Sequence, residues 1–284
     1  MDLITTNKPV TIDLIGDPMV DIWQSPTEWY VTPGGAFNVY KNIESLIETY
    51  PIELRSCFYP LTLGLLPLRE AQECGYPVKQ YDCDKKWNVI KTEDYPSVYH
   101  PINSDTCVYK QLDQLNNYSI LVVSDYNKGF VTKHLKEHLN SKRYNICIVD
   151  SRYANTNFDL LRGYCDILIW RKTSTDEEAD FNWDYKIESN GSESTTIIIS
   201  KFYKGIEQIY NIGIEDIRPT VCATGCGDTF TATIAVTLGV KAIENNFRLP
   251  KLQDIIDSVY NGHIACQDVV SRPRTSIAKN FQLV

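Results

Sequence analysis

The sequence reads Ala223-Thr224-Gly225-Cys226-Gly227-Asp228 immediately before a helix-like segment, 229–238 (TFTATIAVTL). Two glycines with small neighbours let the backbone turn tightly and present N–H groups at a helix start, where anions bind. Phosphoryl transfer needs such an electropositive cradle together with a carboxylate that accepts the nucleophile's proton. Taken alone, the stretch fits equally well an ordinary helix start whose first-turn acid is stabilised by the helix dipole.

A second candidate site lies near the N-terminus. Gly16-Asp17 follows the first predicted strand, Asp21 comes shortly after, and a glycine-rich stretch at 33–38 (PGGAFN) precedes a helix. Carboxylates and amides hydrogen-bond adjacent sugar hydroxyls, and glycines let the backbone approach a ring closely. The predicted sugar-binding set is Asp17, Asp21, Gly34, Gly35 and Asn38. A turn followed by a helix cap explains these residues equally well when they are considered alone.

Strand and helix patterns alternate along the chain, which predicts a mostly parallel sheet covered on both faces. Apolar runs predict strands at 10–16, 119–124, 145–150, 166–170 and 195–200. Helical patterns predict helices at 36–50, 131–139, 227–239 and 252–270. Two segments broken by Pro and Asn, 21–32 and 87–109, are candidates for strands outside the main sheet.

Polar residues follow three of the predicted strands, at Ser124-Asp125, Asp150-Ser151 and Arg171-Lys172. In open α/β sheets, ligands bind outside the carboxyl ends of the strands. For any single strand the change from apolar to polar residues marks only its end, but several such ends together favour a ligand site at this edge.

Composition limits the class of protein. The chain has 284 residues, 43% hydrophobic and 23% charged, which is typical of one large globular α/β domain. A net charge of -8 argues against nucleic-acid binding. The N-terminus lacks a signal-peptide pattern and no apolar run is long enough to span a bilayer, so we expect a cytoplasmic protein without a membrane partner. The nine cysteines have no metal-ligand spacing and are expected to be mostly reduced.

The two glycine-rich stretches resemble those of the ribokinase-like, or PfkB, carbohydrate kinases in order and separation. Within that family the chain is most similar to the kinase domain of the heptose-phosphate kinases of ADP-heptose synthesis. This likeness rests on four stretches, GDPMVD at 16–21, PGGAFNVYKNIESL at 33–46, SDYNKG at 124–129 and VDSR at 149–152. The resemblance implies a ribokinase-like three-layer α/β/α sandwich with a mostly parallel central sheet. It also implies one kinase domain over residues 1–284, with a small β lid formed within 21–32 and 87–109.

The resemblance further implies roles for single residues. Asp228 would be the catalytic base, and the amides of Gly225, Cys226 and Gly227 would form the anion hole. The N-terminal set would hold the sugar, with Lys128 facing phosphate charge. The implied nucleotide-binding residues are Arg152, Thr173, Ser200, Gly205 and Thr224. ATP would bind with Mg²⁺, the ion being held largely by water and phosphate oxygens. The partner would be a small-molecule sugar or sugar phosphate, and the lid often makes a dimer contact in such kinases.

Several positions depart from the family pattern. Thr173 and Asp176 stand where the family has the Asn and Glu of an Asn-x-x-Glu element tied to magnesium, and Asp176 is the candidate metal ligand. Cys222 replaces an Asp, Cys226 replaces an Ala, and Arg274 falls where Gly-Thr is common. Three hypotheses therefore stay open. The first is a kinase that acts on the anomeric hydroxyl of a heptose phosphate. The second is a kinase for a ribose-like sugar, nucleoside or fructose phosphate. The third is a catalytically weak relative that binds a sugar or nucleotide and has a regulatory role.

Overall fold

The computed structural model describes somewhat more than half of the chain. The described residues are 9–16, 18–24, 29–56, 78–84, 87–92, 118–126, 144–151, 165–171, 183–189, 196–203, 206–213, 218–272, 277–278 and 283. The helix predicted at 131–139 lies outside these ranges.

An eight-stranded sheet forms the centre of the described structure. With strands numbered in chain order through both sheets, its members are β1 (Val10–Gly16), β4 (Ile52–Ser56), β7 (Tyr118–Asp125), β8 (Ile146–Ser151), β9 (Ile167–Arg171), β10 (Tyr185–Ser189), β11 (Thr196–Tyr203) and β12 (Ile206–Gly213). Their spatial order is β12-β11-β10-β9-β8-β7-β1-β4. All pairings from β4 to β10 are parallel, whereas β11 and β12 pair antiparallel. The predicted mostly parallel α/β fold is therefore confirmed.

A second, four-stranded antiparallel sheet is separate from the first. It consists of β2 (Pro18–Gln24), β3 (Trp29–Gly34), β5 (Val78–Asp84) and β6 (Trp87–Thr92), in the order β3-β2-β6-β5. Both segments for which the sequence predicted extra strands contribute to this sheet. Its function as a lid, and the assignment of the whole chain to one domain, stay predictions.

Three helices are described, α1 (Gly35–Leu46), α2 (Cys226–Glu244) and α3 (Leu252–Val270). α1 buries a stripe that includes Val39, Ile43 and Leu46, as its apolar spacing predicts. α2 is buried along most of its length and packs against α1, α3, β1 and β7. A Cβ on Gly239 would lie 3.0 Å from Ile52 Cδ1, so the glycine suits the close packing of α2 on the sheet. The sequence predicted that this helix ends at about Gly239, but it continues to Glu244. None of the described helices is long and apolar enough to cross a membrane.

A buried charged cluster lies on the sheet face opposite α2. Asp13 on β1 is fully buried and accepts hydrogen bonds from Arg55 Nε (2.7 Å) and Nη2 (2.8 Å) on the neighbouring strand β4. The Tyr144 hydroxyl donates to the same carboxylate at 3.0 Å. Burial, and then the charge of Asp13, raise the pKa of Tyr144, so its hydroxyl stays protonated as a donor.

His263 on α3 is held in its neutral form. The Gln267 Oε1 atom accepts the Arg218 amide (2.6 Å), so the Gln267 NH₂ group donates to His263 Nε2 at 2.9 Å. Nε2 is then an acceptor, and a proton there would break this bond. Burial lowers the pKa of His263 from its usual 6.5 to about 4.

We predict an acid-sensitive contribution of His263 to stability. Below about pH 6.5 the unfolded chain gains a proton that folded His263 does not take up until about pH 4, so the free energy of unfolding falls across this window. Asp166 acts with the opposite sign, because burial raises its pKa to about 6. Urea unfolding of the wild type and His263→Gln between pH 4 and 7 isolates the histidine, and parallel stability curves would contradict the prediction.

Candidate active site

The N-terminus of α2 forms a backbone cradle open to an anion. Gly225 precedes the helix with φ at 83°, a left-handed conformation in which an L side chain is strained, and no side chain caps the helix. The Cys226 amide donates to the Ala223 carbonyl oxygen (3.2 Å), and the Thr229 amide donates to the Gly225 carbonyl oxygen (3.0 Å). The Cys226 amide thus takes part in the turn, and its place in the anion hole stays a prediction. The partly exposed backbone at Gly225 and Gly227 fits a phosphoryl group.

Asp228 lies in the first turn of α2 and is only 3% exposed. The Tyr126 hydroxyl donates to its Oδ1 atom at 2.5 Å, and Asn38 Nδ2 donates to its Oδ2 atom at 3.0 Å. Hydrogen bonds that ionised groups accept are short and strong. The carboxylate is therefore held in one orientation beside the cradle.

Asn38 joins the N-terminal stretch to the cradle. Its Nδ2 atom also lies 3.3 Å from the Gly225 carbonyl oxygen, so one amide group contacts both the cradle and the carboxylate. The sequence predicted Asn38 as a sugar ligand. In the structure its side chain is fully buried and faces Asp228.

Asp21 lies close to the start of α1. A Cβ atom on Gly34 would be 2.8 Å from Asp21 Oδ1 and 3.0 Å from its Cγ, so only glycine permits this approach. Gly34 and Gly35 lead into α1, which carries Asn38 one turn later. The structure therefore brings four of the five predicted N-terminal residues into one region with Asp228, and Asp17 lies outside the described residues.

The polar strand ends meet at one edge of the sheet, as predicted. Ser124, Asp125, Asp150 and Ser151 are buried, and the register pairs Ser124 with Asp150 and Asp125 with Ser151. Asp150 Oδ2 accepts a 2.6 Å hydrogen bond from Thr231 Oγ1, which also lies 3.1 Å from the Gly227 carbonyl oxygen. Asp150 thereby ties the first turns of α2 to the end of β8.

Ser200 is not brought to this region. It lies on β11, which is antiparallel to β10, and it pairs with Lys186 near the start of β10. Asp228 lies at the edge where the parallel strands end, so Ser200 is displaced toward the opposite edge. The apolar run at 195–200 predicted a strand correctly but not its direction.

The remaining predicted residues divide into two groups. Thr224 is described and lies, partly exposed, in the turn before α2. Six others lie outside the described residues: Lys128, Arg152, Thr173, Asp176, Gly205 and Arg274. Within the described part of the chain, no three His, Cys, Asp or Glu side chains are placed to hold a metal ion. Among the described residues, Cys147 and Cys165 are buried free thiols.

Two residues of the region, Tyr126 and Asn42, were not predicted as site residues, and Asp150 was predicted only as a polar end of its strand. Tyr126 belongs to the SDYNKG stretch, in which only Lys128 was given a role. Asn42 carried a usable signal. It follows Asn38 by four residues, one helical turn, and each asparagine directly precedes an apolar residue of the buried stripe, Val39 or Ile43. A polar pair beside that stripe indicates a buried hydrogen bond.

Comparison with solved structures defines the fold. Ribokinase from Giardia lamblia aligns with a TM-score of 0.63 and 14% identity, covering 94% of each chain. A microbiome-derived acarbose kinase aligns with a TM-score of 0.58 and 12% identity, covering 95% of each chain. Adenosine kinase from Schistosoma mansoni, solved with 2-fluoroadenosine, aligns with a TM-score of 0.55 and 11% identity over 96% of this chain and 98% of its own.

The chain has the ribokinase-like fold shared by these three kinases. At the sequence level it matches no protein-family model and none of the curated proteins with which it was compared. The likeness is therefore one of fold, and a shared fold does not by itself define an activity.

Proposed function

We propose that the protein is a kinase that transfers the γ-phosphoryl group of ATP to a hydroxyl group of a sugar or sugar phosphate. One observation carries the proposal. The Asp228 carboxylate is buried at the start of α2, oriented by Tyr126 and Asn38, and lies directly beside the backbone cradle of Gly225 and Gly227.

In the proposed reaction, Asp228 accepts the proton of the acceptor hydroxyl as that oxygen bonds to the γ-phosphorus atom. The bond between the γ-phosphorus and the bridging oxygen breaks, and ADP leaves. The Gly225 and Gly227 amides, with the positive end of the α2 dipole, stabilise the charge on the transferring group. When bound, Mg²⁺ would neutralise phosphate charge, and Asp176 is the residue proposed to reach it.

Asp21 is proposed to hydrogen-bond the acceptor, together with the backbone at Gly34 and Gly35 and with Asp17. Asn38 is assigned mainly to orienting Asp228, because its amide group already lies against the carboxylate. Resemblance to the heptose-phosphate kinases makes a heptose phosphate, phosphorylated at its anomeric hydroxyl, the first acceptor to test. Ribose-like sugars, nucleosides and fructose phosphates are the alternatives.

An acceptor panel tests the proposal. ADP formation would be followed with Mg²⁺-ATP and individual sugars, sugar phosphates and nucleosides. We expect one acceptor class to raise ADP formation well above the acceptor-free rate. Asp228→Asn protein prepared in parallel controls for contaminating kinases, because contaminant activity would persist in it.

The opposite outcome is equally defined. Thermal stabilisation by ATP or a sugar without turnover of any acceptor would contradict the kinase proposal and support the regulatory binding relative.

A further inference from the structure

We propose that Asn42 is a positioning residue, which holds the Asn38 amide against Asp228 and is itself held by Thr229 and by the backbone of the C-terminal segment at Ala278. The inference rests on the proposed function, since it assigns Asn42 to the orientation of the proposed base. Neither the motifs nor the resemblance gave a role to Asn42, Thr229 or Ala278.

The orientation of Asn42 follows from its obligate partners. Its Oδ1 atom accepts the backbone N–H of Ala278 (3.0 Å) and the hydroxyl of Thr229 (3.1 Å). A backbone N–H can only donate, so this end of the side chain must be the oxygen. Asn42 Nδ2 then points the other way, toward the Asn38 backbone oxygen at 2.9 Å, which can only accept.

The orientation of Asn38 follows in turn. Asn42 Nδ2 also lies 3.1 Å from Asn38 Oδ1, so this Asn38 atom is the acceptor and its NH₂ group faces Asp228 Oδ2. A carboxylate can only accept a hydrogen bond, so the Asn38 orientation that Asp228 requires is the same as the one derived from Ala278. Every bond from Ala278 to Asp228 therefore runs in one direction, and all of these side chains are buried.

The C-terminal segment takes part because Ala278 is bonded to α1 on both sides. Its amide donates to Asn42, and its carbonyl oxygen accepts the Ser45 hydroxyl at 3.1 Å. Ala278 itself is fully buried. A backbone group 50 residues beyond Asp228 thus sets the direction in which the amide network points.

The decisive variant is Asn42→Asp, which keeps the shape but replaces the donor by an acceptor. The new carboxylate oxygen would face both the backbone oxygen and the Oδ1 atom of Asn38. The Asn38 side-chain amide must therefore turn, and it loses its hydrogen bond to Asp228. We expect kcat to fall by roughly 10–10²-fold, the size of a small misplacement of a reacting group. We expect the loss to fall on kcat more than on the KM for ATP, because none of the Asn42 hydrogen bonds described above goes to a cradle amide.

A second variant guards against misfolding of the first. Thr229→Val is nearly isosteric and removes one of the two donors to Asn42 Oδ1, so a smaller loss of kcat is expected. Thr233→Val is the matched control. Its hydroxyl is equally buried on α2 and donates only to the Thr229 carbonyl oxygen (2.8 Å), outside the network. It should lower Tm comparably and leave kcat within about twofold of wild type.

A double-mutant cycle separates positioning from a general structural role. In an Asn38→Ala background, Asn42→Asp should lower kcat by less than about threefold, because the residue through which it acts is gone. Additive losses would overturn the proposal.

A readout without turnover keeps this inference distinct from the proposed function. In ¹⁵N spectra, hydrogen exchange of the Asn38 side-chain amide should accelerate in Thr229→Val and stay slow in Thr233→Val. If this holds while the wild type phosphorylates nothing, the kinase proposal fails and the network stands. If Asn38 exchange is the same in both variants and wild type, the assignment of Asn42 is overturned.

Discussion

Replacing Asp228 by Asn should lower kcat by roughly 10²–10⁴-fold, the usual contribution of a positioned general base. The carboxamide cannot accept the proton of the acceptor hydroxyl. It also meets two donors, the Tyr126 hydroxyl and the Asn38 amide, and can accept from only one of them in the wild-type geometry. Steady-state kinetics with the acceptor found in the panel would measure the loss.

Asp257→Asn is the matched control for this substitution. Asp257 lies on α3, where it pairs with Lys241 at 3.5 Å. None of the hydrogen bonds described above joins Asp257 to the cradle or to α1. Its kcat should equal that of the wild type. An Asp228→Asn enzyme with undiminished kcat, confirmed as folded by its Tm, would remove Asp228 from its proposed role.

The second large effect concerns stability. Arg55→Met should lower the free energy of unfolding by about 3–5 kcal/mol, because it leaves the Asp13 carboxylate buried without its cationic partner. Tyr144 still donates one hydrogen bond but carries no charge to offset that of Asp13. Urea denaturation at neutral pH would measure the change.

The double variant Asp13→Leu with Arg55→Met tests the cause. Replacing a whole buried ion pair by apolar residues of similar size is often neutral or stabilising, so most of the loss should be recovered. Lys41→Met serves as a control, because its bond to Glu44 is exposed and such pairs contribute about 0–1 kcal/mol. If the double variant is no more stable than Arg55→Met, the loss does not come from the unpaired carboxylate.

Elements with strong local signals were predicted well from the sequence. The bounds of α3 agree at both ends, and the buried strands β1, β7, β8 and β9 were found within one residue or two. β4, β5, β10 and β12 were not predicted, and the reasons differ for β10 and β12. β10 is only five residues long and includes Lys186 and Glu188, which pair with each other at 2.5 Å. β12 is an edge strand whose side chains are largely exposed, so it lacks the apolar run that marks a buried strand.

The candidate site was predicted as two glycine-rich stretches, but not as an arrangement of contacts. The local sequence at 33–38 and 223–228 does not predict that Asn38 contacts Asp228, because that contact depends on how α1 and α2 pack. Likewise, the direction of β11 follows from its pairing with β10, which reversed the expected placement of Ser200. The hydrogen-bond partners of Asn42 and Asp150 are defined only once the packed elements are placed, although the spacing of Asn42 from Asn38 already indicates a buried hydrogen bond.

The bond between Asn38 and Asp228 spans 190 positions of the chain. At the usual pace of synthesis, a ribosome needs roughly 10–40 s to add that many residues. During this time β1 has been made but α2, which will cover one of its faces, has not. Until α2 is made, the face of β1 that this helix covers lacks that contact, so we expect the candidate site, which draws on both ends of the polypeptide, to form late in synthesis or after it.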